Sequence, residues 1–264
     1  MTYSIEGKGQ PCFVCADGDL QKGCISDNLK EHFQFVFIEQ RHSTIYEETK
    51  DYSNITMDTI VDDMEMLRTK LGFDKVYVLG HSIIGLIALE YARKYPENTK
   101  GVIMINTPPH FNMDYMKNIN KYWDENASEK RKKILAKNLK NLELINKDSI
   151  SKEEWNYLSY KAYAPKNYYD SLYNDTPYFR VNEEGWNHFF SIMSEYDIAK
   201  SLIETPIFLS LAKFDFMMPE SFWDDYKDKF ETLTINRFEK SGHYPHVEEQ
   251  ELFDKLLLSW INDN

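Results

Sequence analysis

Gly80-His81-Ser82-Ile83-Ile84-Gly85 stands between the apolar run Val76–Leu79 and an amphipathic stretch from Ile83 to Tyr95, and its reading decides the fold. A serine hydroxyl is a poor nucleophile at neutral pH; it becomes useful when held exposed beside a base, with N–H donors waiting for the oxyanion. A sharp strand-turn-helix supplies that geometry. It lifts the serine out of the sheet, aims a helix N-terminus at the developing charge and needs small residues where the chains crowd.

Outward from this hexapeptide the pattern alternates. Upstream, Thr56–Leu71 carries Met57, Ile60, Val61, Met64, Leu67 and Leu71 on one face, the spacing of an amphipathic helix. Downstream, Gly85, Ala88 and Ala92 give the next helix a small face for close approach to a sheet; Pro96 follows its end, and Val102–Ile105 is a strand. Further strands are expected at Tyr3–Ile5, Cys12–Cys15 and Phe33–Ile38, with turn chemistry in Ala16-Asp17-Gly18-Asp19, a polar helical stretch around Ser26–His32 and a polar loop to Asn54. Strand-helix alternation of this kind implies an α/β fold with a mostly parallel sheet and right-handed crossovers.

The rhythm breaks after His110. Residues 110–203 show only helical patterns and aromatic-rich loops, and strands resume at Ile207–Leu211 and Leu233–Phe238. The apolar stripe Leu252, Phe253, Leu256, Leu257, Trp260 and Ile261 marks a C-terminal helix. The expected organisation is therefore a core built from 1–109 and 204–264, with a helical cap inserted at 110–203.

Bulk properties narrow the function. At 264 residues, 42% hydrophobic and 15% aromatic, the chain can bury a sizeable core. Its formal charge of −12 argues against nucleic acid or an anionic membrane as partner, since both call for a basic face. No signal peptide is visible after Met1, and no uncharged run approaches membrane-spanning length. Cys12, Cys15 and Cys24 are odd in number and confined to the first segment, which suits a reducing, cytoplasmic setting. Cys12 and Cys15 form a C-x-x-C inside a strand, away from any helix N-terminus, so neither a redox role nor a metal site is read there.

Ser82 requires a base and an orienting acid, and strand ends are where such groups assemble in open α/β sheets. Asp215 follows the strand Ile207–Leu211, and His243 follows Leu233–Phe238 in Glu239-Lys240-Ser241-Gly242-His243. The order Ser82, Asp215, His243 is that of an elbow-type triad. His246 competes for the base, and Asp224 or Asp225 for the acid; Asp215 could instead be a helix N-cap before Pro219. His81 reads as a packed or hydrogen-bonded neighbour. Tyr157, Tyr160, Trp186 and Phe189 either line a substrate pocket or bury the cap against the core.

These residues resemble the α/β-hydrolase superfamily, and more narrowly its prolyl aminopeptidase (proline iminopeptidase) branch. The resemblance is carried by Ile55–Pro96, with Asp63-Met-Glu-Met-Leu-Arg68-Thr-Lys-Leu-Gly72-Phe-Asp74-Lys before the strand and Ala88-Leu-Glu-Tyr91-Ala92 after the elbow. It implies a cofactor-free serine hydrolase that cleaves an ester, thioester, lactone or amide of a small molecule or short peptide through an acyl-enzyme. In an aminopeptidase version, cap carboxylates such as Glu183, Glu184 or Glu195 would hold the substrate amine. It also implies an oxyanion hole formed by the Ile83 N–H and a donor from the loop after the second strand, Gly18 or Asp19. Three positions depart from the family pattern. Ala16-Asp17-Gly18 or, shifted by one, Asp17-Gly18-Asp19 replaces the usual His-Gly, Arg41-His42-Ser43 is a compressed Arg-Gly-x-Gly-x-Ser, and Ile84 replaces the glycine two residues after the serine. The altered oxyanion loop motivates an alternative, a non-catalytic small-ligand-binding protein on the same fold. Carbon–carbon bond hydrolysis or haloperoxidase-like chemistry would reuse the same triad.

Overall fold

Apolar runs become seven strands: β1 (Thr2–Gly7), β2 (Gln10–Cys15), β3 (Phe33–Glu39), β4 (Val76–His81), β5 (Thr99–Ile105), β6 (Ile207–Ala212) and β7 (Leu233–Phe238). They form one sheet in the order β1-β3-β2-β4-β5-β6-β7, parallel except for the edge strand β1, which runs antiparallel to β3. The computed structural model describes residues 1–15, 18–44, 51–112, 114–170, 182–200 and 203–264. Among the described residues, four helices precede β5: α1 (Gly18–Cys24), α2 (Asp27–Lys30), α3 (Met57–Leu71) and α4 (Gly85–Lys94). Among the described residues, the segment between β5 and β6 holds α5 (Tyr115–Asn126), α6 (Glu129–Glu143), α7 (Lys152–Ala162), α8 (Ala164–Asn167) and α9 (Glu183–Ser194). After β7 come α10 (Pro245–Glu248) and α11 (Gln250–Asp263). Among the described residues no helix is long and apolar enough to cross a membrane.

Side chains alternate across the pleat, so each strand feeds two cores. On one face Phe13, Val36, Val78, Val102 and Leu209 meet Ile60, Met64 and Leu67 of α3 and Leu86 and Leu89 of α4. On the other, Val14, Phe35, Leu79, Ile103 and Phe208 meet Phe253, Leu257 and Trp260 of α11. Each such side chain, fully buried, contributes roughly 1.5–3 kcal/mol relative to exposure, which makes these two faces the main source of cohesion. The same alternation separates Cys12 from Cys15, one on each face, both buried as free thiols. Burial pushes both thiols up, the direction that suppresses thiolate chemistry.

Local signals place the elements. Thr56 caps α3 by accepting from the Thr59 N–H at 3.1 Å, while the Thr59 hydroxyl accepts from the Thr56 N–H at 2.9 Å. Gly72, at φ 72°, ends the helix in the left-handed conformation that glycine adopts without steric cost. Two expectations need revision. The stretch read as a turn through Asp19 becomes α1 from Gly18 onward; acidic and glycine residues favour helix starts as well as turns, so composition alone does not separate the two. The helix expected at Ser26–His32 shortens to α2, with Ser26 as its N-cap. Ala16 and Asp17, and part of the polar loop before Asn54, lie outside the described residues.

Beyond β3, Arg41 grips Asp63 of α3 with two hydrogen bonds, of 2.6 and 2.5 Å, and Ser43 donates to the Gln40 carbonyl. His42 turns inward. Its ring lies flat on Phe189 of α9 at 4.3 Å and edge-on to Trp186 at 5.3 Å. Gly185 lets α9 approach this closely, because a Cβ there would sit 1.9 Å from the His42 carbonyl oxygen. Burial pushes the His42 imidazole down to about 3. A base held below its unfolded value near 6.5 contributes stability above that pH and loses it as pH falls towards 3. His42→Phe keeps the aromatic packing and removes the titration. The difference in Tm between His42→Phe and wild type should therefore grow in the variant's favour as pH drops from 7 to 5. A pH-independent difference, measured by thermal unfolding, would contradict the buried neutral ring.

Candidate active site

The carboxyl ends of β4, β5, β6 and β7 lie on one edge of the sheet, as their parallel pairing requires. At the end of β4, Ser82 has φ 58° and starts a single 3-10 turn, Ser82–Ile84, that leads into α4. A non-glycine residue in the left-handed region costs roughly 1–2 kcal/mol, and such strain persists only where surrounding packing enforces it. The enforcing contacts are two close approaches. A Cβ on Gly80 would lie 2.6 Å from the Ile84 carbonyl oxygen, and one on Gly85 would lie 1.9 Å from the Thr107 hydroxyl oxygen. Glycine is thus required one residue later than the family spacing suggests. Ile84 itself is buried in the core beside α4.

Asp215 follows β6 and is 1% exposed. Its Oδ1 accepts the main-chain N–H groups of Met217 and Met218, at 2.9 and 2.8 Å. Oδ2 accepts the Asn106 side-chain amide at 2.8 Å and lies 2.7 Å from His243 Nδ1. The Met217 and Met218 main-chain N–H groups can only donate, and the Asn106 nitrogen also faces the Gly242 carbonyl, which can only accept, so the Asp215 carboxylate is an acceptor throughout and takes the Nδ1 proton of the neutral imidazole. The imidazole then keeps its lone pair on Nε2. The helix N-cap reading of Asp215 is not met: the short 3-10 turn Glu220–Trp223 starts from Pro219 without a side-chain cap, and Asp215 Oδ1 instead closes the turn at Met217 and Met218 while Oδ2 faces His243.

The competitors stand elsewhere. Asp224 and Asp225 are exposed, with Asp224 paired to Lys227 at 3.0 Å. His246 is buried with its ring 5.3 Å from that of His81, and burial pushes it down to about 3. His81 donates from Nε2 to the His243 carbonyl at 2.7 Å, with the two rings 4.6 Å apart. Ser82 and His243 are therefore joined through the residue beside the serine. Burial also lowers the His81 imidazole, which keeps it neutral in this contact.

A short segment around α8 grips both strand-end loops. The Phe216 N–H donates to the Lys166 carbonyl at 3.0 Å, and the His243 N–H donates to the Asn167 carbonyl at 2.5 Å. Glu248 accepts from the Gly242 N–H at 2.8 Å and from the Tyr169 N–H at 2.7 Å; burial pushes its carboxyl up to about 7. Arg131 of α6 fixes the segment from behind by donating to the carbonyls of Pro165, Tyr168 and Tyr169. Tyr160 of α7 meets Tyr244, hydroxyl to hydroxyl. None of these ties was read from the sequence. Asn106 had one available signal, a polar residue directly after an apolar strand.

The remaining candidates sort by burial. Phe189 and Trp186 pack on His42, which favours their structural role. Tyr157 accepts from Lys161 of its own helix at 3.2 Å. Glu183 pairs with Lys152 at 2.8 Å and accepts from Asn156, while Glu184 and Glu195 are exposed. Of the two expected oxyanion donors, Ile83 sits in the turn entering α4 and Gly18 opens α1. Asp19, the alternative donor, lies within α1.

The family model described as alpha/beta hydrolase fold matches residues 14–250, and the chain belongs to that family. It is 28% identical over 275 residues to the AB hydrolase superfamily protein YclE of Bacillus subtilis, covering 99% of this chain and 95% of that protein. It is 26% identical over 258 residues to a proline iminopeptidase of Flavobacterium johnsoniae, covering 89% and 82% respectively. Among solved structures, an alpha/beta fold family hydrolase from Bacillus anthracis superposes with a TM-score of 0.71 at 22% identity, covering 99% of this chain and 94% of that one.

Gly242 offers a direct test of how tightly the histidine loop is held. A Cβ there would lie 2.3 Å from the Asn167 carbonyl oxygen and 2.6 Å from the Tyr168 Cα, both main-chain atoms. Gly242→Ala should cost about 1–3 kcal/mol, a Tm fall of several degrees. Gly23→Ala, within α1 and facing open space, should leave Tm unchanged or raise it. Equal Tm values for the two variants would show that the α8 segment does not clamp this loop.

Proposed function

We propose that the protein is a serine hydrolase acting on a small ester, thioester, lactone or amide, with Ser82 as nucleophile, His243 as base and Asp215 as its orienting acid. The observation that carries this reading is Ser82 at φ 58°, on the same strand edge where Asp215 holds the Nδ1 side of His243. In the proposed cycle, Ser82 Oγ attacks the substrate carbonyl while its proton passes to His243 Nε2. The tetrahedral oxyanion is held by the N–H groups of Ile83 and Gly18. Collapse of the intermediate takes the proton from His243 to the leaving group and forms the acyl-enzyme; water then repeats the sequence and frees Ser82. Asp215 keeps the proton on Nδ1 and stabilises the imidazolium, a role whose loss costs on the order of 10⁴-fold in turnover in comparable triads. No cofactor is needed.

In this reading residues 110–203 form a cap over the site, which favours small molecules or short peptides over folded proteins. The relatives named proline iminopeptidase make removal of an N-terminal residue the more specific version. The exposed Glu184 and Glu195 are then the carboxylates to test for the amine, since Glu183 is engaged by Lys152. The buried free thiols fit a reducing cytoplasm.

A fluorophosphonate probe should label the wild-type protein at one site and leave Ser82→Ala unlabelled, read by intact mass. Turnover of a short-chain aryl ester or an aminoacyl arylamide should fall by at least about 10³-fold in Ser82→Ala. Competition by one of these two substrate classes identifies the bond cleaved. An unlabelled wild type, with ligand binding retained in Ser82→Ala, would overturn the enzyme reading in favour of a binding protein.

A further inference from the structure

Asn106 is the first residue beyond β5, fully buried, with φ 43°. It is one of two non-glycine residues in the left-handed region among those described; the other is Ser82. Asparagine tolerates this conformation better than most residues, yet strain in a buried strand end still calls for a compensating interaction. The side-chain amide supplies it. One N–H donates to Asp215 Oδ2 at 2.8 Å and the other to the Gly242 carbonyl at 2.9 Å. Both acceptors are oxygens without protons to give, so the amide orientation is settled: nitrogen faces the pair, and Oδ1 is left towards the Ser210 hydroxyl at 3.4 Å. The Asn106 main-chain N–H donates to the Ser210 carbonyl at 3.0 Å, which fixes the backbone from which the amide projects.

Two consequences follow from that placement. The oxygen that takes Asn106 is the one that takes His243 Nδ1. A donor on a carboxylate oxygen withdraws charge from it and weakens its hold on an imidazolium. The second N–H pins the carbonyl of Gly242, the residue directly before His243, and so limits how the ring can rotate away from Asp215. We propose that Asn106 is a positioning residue of the triad, an amide that sets both the orientation of His243 and the strength with which Asp215 stabilises its protonated form. The proposal rests on the reading of Ser82, Asp215 and His243 as nucleophile, acid and base.

A leucine at this position is nearly isosteric but has no N–H to give, which leaves Asp215 Oδ2 and the Gly242 carbonyl without the amide. Asn106→Leu should move the pH midpoint of labelling upward by about one unit, because Asp215 Oδ2 then faces His243 with its charge undiminished. Below that midpoint the fraction of active base falls, so fluorophosphonate labelling should slow by up to about 10-fold at a fixed pH. Asn106→Ala should shift the profile in the same direction by less, since the space it opens admits water to the vacated acceptors. The other titratable groups facing the pair are common to all three proteins: His81 from β4, Tyr244 directly before α10, His246 and Glu248 from α10, Tyr115 and Tyr122 from α5, and Tyr160 from α7.

The experiment combines the pH profile of labelling with NMR titration of the His243 Cε1–H, in wild type, Asn106→Leu and Asn106→Ala. A wild-type measurement guards against variants that fail to fold: the Asn106 side-chain amide protons should titrate with the same midpoint as His243. Upward shifts in the order Leu above Ala above wild type support the proposal. Superimposable profiles, or Asn106 amide protons indifferent to His243 protonation, overturn it. An unlabelled wild type would instead overturn the nucleophile assignment, and the NMR titrations would still decide the role of Asn106.

Discussion

The buried carboxylate of Asp215 is the interaction on which the rest of this edge depends. Removing an ion from water costs several kcal/mol, and only dense hydrogen bonding offsets that cost. Four donors converge here, from Met217, Met218, Asn106 and His243. Hydrogen bonds to a charged group contribute about 1.5–3 kcal/mol each, so the full set offsets the cost and each donor lost weakens that balance. Because the donors belong to the ends of β5, β6 and β7, the requirement to satisfy one carboxylate locks three strand ends into register. The fourth strand end joins through His81, which holds the carbonyl of His243.

A second constraint acts on Ser82. Its left-handed backbone is held by two close approaches, Gly80 against the Ile84 carbonyl and Gly85 against Thr107. Thr107 directly follows Asn106, and the Thr107 carbonyl accepts the Trp223 indole N–H at 2.8 Å. The same two residues after β5 therefore serve both halves of the site: Thr107 closes the elbow, and Asn106 fills the carboxylate. The α8 segment adds an outer clamp, with Lys166 and Asn167 accepting from the residues beside Asp215 and from His243 itself.

Much of this was legible in the sequence, for identifiable reasons. β4 to α4 could be read because an apolar run, a small-residue turn and an amphipathic helix are all local patterns. Asp215 and His243 could be read because each directly follows an apolar strand, and parallel strands deliver their ends to one edge. The start of α1 was hidden, since Asp and Gly signal turns and helix starts alike. The role of Asn106 was hidden more deeply. It depends on a positive φ and on acceptors 109 and 136 positions along the chain, and nothing local encodes either. The stacking of His42 on Phe189 and the reach of Glu248 to Tyr169 are likewise products of tertiary packing. The displaced glycine illustrates the difference between motif and mechanism. The family spacing expects small bulk at 84, whereas the crossing with Thr107 demands it at 85.

The central claim is that Asp215 fixes the proton of His243 on Nδ1 and leaves Nε2 as the base. Nitrogen-15 NMR of histidine-labelled protein above the protonation midpoint tests it most directly, because the two ring nitrogens differ strongly in shift when only one bears hydrogen. The account predicts Nδ1–H and unprotonated Nε2 for His243 in the wild type, with that pattern lost or mixed in Asp215→Asn. An Nε2–H tautomer in the wild-type protein, or one unchanged by Asp215→Asn, would contradict it.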